Sequence, residues 1–151
     1  MTEGAQMLDE IDRRIVEALL ADGRISLKDL AAAAGLSSPS ASERLRRLQE
    51  RGVICGFTAD IDARALGYPL QALVRLRPLP GKLQIVQQLL EDIPELVECD
   101  KVTGDDCFVA RLFVHSMEAL DAIVDRLAEK AETSTAIVKS QPVRRRAPPL
   151  G

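Results

Sequence analysis

Residues 35–48 read Gly-Leu-Ser-Ser-Pro-Ser-Ala-Ser-Glu-Arg-Leu-Arg-Arg-Leu. A glycine that favours a left-handed turn is followed by a serine–proline pair. Ser38 is expected at the N-cap and Pro39 at the first helical position, where a missing N–H costs nothing. Ala41, Leu45 and Leu48 then share one face of a helix. Ser42, Glu43, Arg46, Arg47 and Glu50 turn outward, Ser40 lies on one flank, and Arg44 and Arg51 sit near the core edge on that flank.

Outward from this stretch the chain reads helix, helix, tight turn, helix. Ile11, Ile15, Ala18 and Leu19 mark a first helix, with Asp9 as its cap and Asp12 as an acid in its first turn. Ser26 opens a second, with Leu27, Leu30, Ala31 and Ala34 as its apolar face and Gly35 as its end. After Gly52, residues 53–59 alternate weakly and are expected to form the strand of a wing. Two helices joined by a short glycine turn form a helix-turn-helix, whose second helix enters the major groove of DNA.

The charge pattern agrees with that role. The 151 residues carry a net charge of −3, which by itself disfavours nucleic acid. Yet residues 38–51 hold four arginines and two glutamates, locally +2, whereas the first sixty residues hold eight basic and ten acidic side chains. Position outweighs total. Arg46 and Arg47 suit bidentate pairing with guanine or phosphate, and Ser38, Ser40 and Ser42 are short donors for phosphates or base edges. The alternative reading of the Glu-Arg-x-Arg-Arg-x-x-Glu run is a solvated face with i,i+4 ion pairs. An aromatic content of 3% disfavours a base-stacking single-strand binder.

Residues 61–69 read as a linker. Beyond it, Leu70, Ala72, Val74 and Leu76 line one face of a strand, and Gln71, Arg75 and Arg77 lie on the other. A helix over 82–92 buries Leu83, Val86, Leu89 and Leu90. Strands at 96–102 and 107–114 flank a turn at Thr103-Gly104-Asp105. Ser116 caps a helix with Met117, Leu120, Ile123, Val124 and Leu127 inside, and a strand spans 133–143. This β-α-β-β-α-β order is ferredoxin-like, so the chain is α+β. Residues 144–151, with three arginines and two prolines, read as a flexible tail.

Other chemistry is scarce. His115 is the only histidine, and no C-x-x-C pair accompanies Cys55, Cys99 and Cys107, so neither a zinc site nor an oriented Cys–His pair is expected. Catalytic residues and cofactors are expected to be absent. No apolar run spans a membrane, and Met1-Thr2-Glu3-Gly4 does not read as a signal peptide, which points to the cytoplasm.

Across residues 8–143 the sequence resembles the Lrp/AsnC, or feast/famine, family. The resemblance rests on Leu8-Asp9-x-x-Asp12, Asp22-Gly23-Arg24, Gly35-Leu36-Ser37, Glu43 to Leu48, Gly52-Val53-Ile54 and Val102-Thr103-Gly104-Asp105. It implies a transcription regulator with a winged helix-turn-helix domain at 1–60 and a RAM domain at 70–143. The RAM domain would dimerise and sense a small effector, usually an amino acid. Assembly as a homodimer, or an octamer of four dimers, is implied too. The family's effector site maps to Gly104 and Asp105 with Asp106 and Cys107. Where many relatives carry an aromatic residue and then an acid, this chain has Asp106 and Cys107. That departure resembles a subgroup with a Gly-(Asp or Glu)-Asp-Cys-Phe run and a Thr/Ser-rich stretch before the last strand, here Thr133-Ser134-Thr135. Asp105 and Asp106 suit the ammonium of an amino acid. N–H groups near Gly104 and the hydroxyls of Thr103, Thr133, Ser134 or Thr135 suit its carboxylate. Two other readings share the architecture: a siroheme-decarboxylase-like enzyme, disfavoured by the single histidine, and a metabolite-binding protein lacking DNA binding, disfavoured by the intact Glu43–Leu48 run.

Overall fold

In the computed structural model, which describes residues 7–151, local hydrogen bonds set the helix boundaries. The Met1–Gly4 run lies outside the described residues. Helix α1 (Glu10–Ala21) begins where Asp9 accepts from the Asp12 N–H at 2.7 Å. Helix α2 (Leu27–Ala34) begins where Ser26 accepts from the Asp29 N–H. It ends in a Schellman turn: Gly35 takes φ +69°, Leu36 N–H bonds to Ala31 O and Gly35 N–H to Ala32 O.

Helix α3 (Ser38–Glu50) starts one residue earlier than expected. Ser37, not Ser38, is the N-cap. It has extended backbone, its carbonyl accepts the Ala41 N–H and its hydroxyl accepts the Ser40 N–H. Pro39 offers no N–H, so Ser40 is the donor the cap can satisfy.

The strand expected over 53–59 does not form. Val53 and Ile54 N–H both close onto Leu48 O, finishing α3 after Gly52, and residues 55–60 run on as irregular chain. A strand needs a neighbour for its N–H and C=O groups. Among the described residues, none pairs with this segment.

The remaining elements are β1 (Leu70–Pro78), α4 (Leu83–Glu91), β2 (Leu96–Lys101), β3 (Phe108–Val114), α5 (Met117–Ala128) and β4 (Ala131–Ile137). They form an antiparallel sheet in the order β2-β3-β1-β4, as the ferredoxin-like reading requires. One sheet face is apolar and sealed: Ala72, Val74, Leu76, Phe108, Ala110, Leu112 and Val114 pack on Val86 and Leu90 of α4 and Leu120, Ile123 and Leu127 of α5. β4 starts and stops earlier than expected because its register follows β1, from Pro78 opposite Ala131 to Ala72 opposite Ile137.

The chain divides into two compact units, one up to Asp60 with Arg145–Gly151, the other Ile61–Arg144. The first has its own core of Ile15, Val16, Leu30, Ala34 and Leu48. Two segments read as connectors are built into these units. Within 61–69, Asp62 caps a 3₁₀ turn (Ala63–Leu66), the Gly67 carbonyl lies 2.5 Å from His115 Nδ1, and Tyr68 stacks on His115 at 4.0 Å. The expected loose tail returns to the first unit, where Leu150 packs against its core.

Three residues assigned to buried faces are exposed: Leu27, Leu83 and Met117. Each is the first residue of its helix. Helical Cβ bonds tilt toward the N-terminus, so a first side chain projects past the end of the surface its helix covers.

Candidate functional site

Two groups of candidate residues occupy separate units. In the first, α3 is held against α1 by ion pairs as well as by packing. Asp12 is buried at 5% exposure. It accepts from Arg44 Nη1 and Arg51 Nη1, both at 3.2 Å, and Arg44 also pairs with Asp9. The Asp12 N–H and then the Arg44 guanidinium hold the Asp9 carboxyl below its ordinary pKa. Arg44 and Arg51 lie seven residues, about two helical turns, apart, so Asp12 grips α3 at two points along one flank. From the sequence Asp12 reads as a first-turn acid. Its phase, shared with Ile15, Val16 and Leu19, carried the signal of a buried position.

The outward face of α3 is dominated by Glu43. Arg46 forks onto it, Nε to Oε2 at 3.0 Å and Nη2 to Oε1 at 2.7 Å, and Arg47 Nε donates to Oε1 at 3.1 Å. Arg46 also reaches Glu50. These bonds, Arg46 first, lower the Glu43 pKa to about 2, and the same pairing raises that of Arg46. Both arginines, Pro39, Ser40 and Ser42 are exposed, and Ser38 is half-buried. The Ser40 hydroxyl accepts from Ser37 Oγ at 2.9 Å, so it is held at the helix start. Of the residues read as DNA-contacting, all seven therefore lie on the opening turns or the outer face of one helix.

In the second unit the turn after β2 is closed by Val102 N–H on Cys107 O and anchored by Cys107 N–H on Leu76 O. Gly104 takes φ +104°, a conformation that L side chains rarely adopt. Thr103, Gly104 and Asp105 are exposed, and Asp106 and Cys107 half-buried. Arg77 donates through Nε to the Asp105 carbonyl at 2.8 Å and sits 3.7 Å from Glu132 on β4.

The hydroxyl run on β4 does not act as one group. Ser134 is opposite Arg75, whereas Thr133 and Thr135 are opposite Leu76 and Val74. Successive strand residues point to opposite faces. Ser134 therefore shares the open face with Arg75, Arg77 and Glu132, while Thr133 and Thr135 belong to the helix-covered side. Alternation along β1 places Arg77 on the outward face. Its role emerges from β1 lying between β3 and β4.

Comparisons with known proteins match both units. The family model for a winged helix-turn-helix DNA-binding domain matches residues 8–54, and that for the Lrp/AsnC ligand-binding domain matches residues 71–148. The transcriptional regulator LrpA of Mycobacterium tuberculosis is 39% identical over 131 residues, covering 86% of this chain and 87% of that one. The structure of LrpC from Bacillus subtilis superposes with a TM-score of 0.86 at 28% identity, covering 91% and 99% of the two chains. The feast or famine regulatory protein of M. tuberculosis, solved in complex with L-methionine, superposes with a TM-score of 0.85 at 36% identity, covering 93% and 97%. Two matched domains in this order, over most of the chain, place it in the Lrp/AsnC family of helix-turn-helix transcriptional regulators that carry a ligand-binding domain.

Proposed function

We propose that α3 reads duplex DNA through Ser38, Pro39, Ser40, Ser42, Glu43, Arg46 and Arg47, and that an amino acid bound around Thr103–Cys107 modulates this. The observation that carries the first part is the exposed Arg46–Arg47 pair on the outer face of the second helix of the helix-turn-helix. Residues up to 60 form the DNA-binding domain and 70–143 the effector and assembly domain. The open sheet face bears half-buried Leu73, Val109 and Phe113, an apolar strip suited to a second copy. A homodimer presents two α3 helices to half-sites about one helical turn, or a multiple of it, apart. Four dimers would make the octamer. The protein works in the cytoplasm, where its DNA is.

For the effector, Asp105 and Asp106 supply ammonium acceptors. The N–H groups near Gly104, the Thr103 and Ser134 hydroxyls and the Arg77 guanidinium supply carboxylate donors. The relative solved with L-methionine supports the class of ligand. Cys107, half-buried beside the turn, lets the side-chain end of the ligand differ from that of relatives with an acid there. Effector binding shifts the equilibrium between assembly states and so the spacing of the DNA-binding heads.

The DNA reading is tested by anisotropy with duplex from upstream of the protein's own gene at two salt concentrations. Salt-sensitive binding is expected, with loss in the Arg46→Ala/Arg47→Ala variant. Salt-independent binding, or retained affinity in the variant, overturns it. For the effector, a thermal-shift screen of the twenty amino acids is expected to give at least one concentration-dependent rise. Twenty null results overturn the amino-acid reading.

A further inference from the structure

The fork that Arg46 lays on Glu43, Nε and Nη2 on the two carboxylate oxygens, is the fork an arginine lays on guanine O6 and N7. In the free protein Glu43 thus occupies the edge of Arg46 that a base would take, and it holds Arg47 through a third bond. The second carboxylate on Arg46, Glu50, reaches only the remaining Nη1 and leaves the fork untouched.

Two consequences follow for contact with DNA. A phosphate attracting Arg46 competes with two carboxylates, and one attracting Arg47 competes with Glu43 at its Nε, which weakens sequence-independent attraction. Once Arg46 does leave, Glu43 is an acceptor in a groove from which water is being expelled, and it is costly unless a donor meets it. A G·C pair answers both needs together. Guanine accepts the arginine fork at O6 and N7, and cytosine presents its N4 amino group to the carboxylate beside it. At an A·T pair thymine O4 gives the fork one acceptor in place of two.

We propose that Glu43 is a specificity-determining residue. It holds Arg46 and Arg47 off the phosphates and, by exchanging partners with them, selects a G·C pair within the half-site that α3 contacts. This rests on α3 being the DNA-reading element, so the experiment separates the two.

Full-length wild type, Glu43→Gln and Glu50→Gln are each taken through binding-site selection from randomised duplex. Anisotropy titrations on the selected and a scrambled duplex follow at several salt concentrations, with melting temperatures as the check on folding. Wild type is expected to select a site with a G·C pair whose replacement by A·T weakens binding by roughly 5- to 150-fold, the range of one good bidentate contact. Glu43→Gln is expected to reduce that discrimination to a few-fold. It should also bind scrambled duplex more tightly and steepen the log–log salt slope by roughly 1 for each arginine freed to a phosphate. Glu50→Gln is expected to tighten non-specific binding and leave the base preference unchanged. A folded Glu43→Gln with wild-type base preference and salt slope overturns the proposal. Equal loss of preference in Glu50→Gln overturns it as well, because charge alone then accounts for the effect. Wild type that selects no duplex overturns the DNA reading of α3 itself.

Discussion

Replacing Asp12 with asparagine tests what fixes the recognition helix. The carboxylate is 6% exposed in its side chain and meets two guanidinium groups, each at 3.2 Å, whose side chains are 32% and 30% exposed. Removing one partner of a fully buried pair costs about 3–5 kcal/mol, because the remaining charge is left without compensation. Exposed pairs contribute about 0–1 kcal/mol. Here the anion is buried and the cations are partly solvated, and Arg44 keeps Asp9 as a second partner. The cost therefore falls between the two limits, at about 2 kcal/mol.

Urea denaturation of wild type and Asp12→Asn, followed by far-UV circular dichroism, measures it. Glu10→Gln is the matched control, since it removes an acid from the same end of α1 whose partner Arg14 and own side chain are both more than half exposed. That control is expected to change stability by about 0.5 kcal/mol or less. If Asp12→Asn costs no more than Glu10→Gln, the two contacts contribute nothing to holding α3 in place, and packing of Leu48 and Leu45 alone must orient it.

Further outcomes are expected at other positions. Ser37→Ala should cost about 1 kcal/mol as loss of an N-cap, against less than about 0.5 kcal/mol for Ser38→Ala, which removes no cap; equal losses in urea melts would move the cap. The Glu43 carboxyl should titrate at about 2 by NMR. Its folded pKa is lowered from 4.5, so the pairing contributes above the unfolded value and is lost as pH falls toward the folded one. A midpoint near 4.5 would show that the Arg46 and Arg47 bonds do not persist in solution. Arg77→Met should abolish the thermal shift given by whichever amino acid binds, with DNA affinity in its absence unchanged. Ser134→Ala should weaken that shift and Thr135→Val leave it intact, so an equal effect of the two would mean that the face of β4 does not decide.

Element type and order were legible because each rests on a local rule. The 3.6 and 2.0 periods marked the helices and the strands β1 and β3, and Asp9, Ser26 and Ser116 capped the helices they were expected to cap. What escaped depends on partners distant in sequence. Residues 53–59 alternate like a strand, but alternation supplies no neighbour to pair with. Leu150 lies far along the chain from the core it packs against. Thr133, Ser134 and Thr135 were grouped by composition, although period two already separates the middle one. Arg77 could be placed on the outer face of β1, but its contact with Asp105 needs the β2–β3 turn to return beside Leu76. At Asp12 two local rules compete: a carboxylate in a first turn reads as a dipole partner, while its phase with Ile15 marks a buried position.

The arginines of the α3 segment divide by this same logic into two kinds. Arg44 and Arg51 share a buried acid on α1, so releasing either to a phosphate would leave a desolvated carboxylate behind. They are framework. Arg46 and Arg47 share acids of their own helix that face water, and the carboxylate they leave is resolvated or taken by a base. They are exchangeable. The local charge of +2 thus overstates the attraction that DNA experiences at a distance, because each of the four cations already faces an anion. Binding at one α3 then depends on partner exchange at close range more than on long-range attraction, and it is weak until geometry allows the exchange. In the proposed homodimer a second α3 at fixed spacing would compensate, since the first contact raises the effective concentration of the next. An effector acting as proposed, by changing that spacing, would act on the term on which affinity most depends.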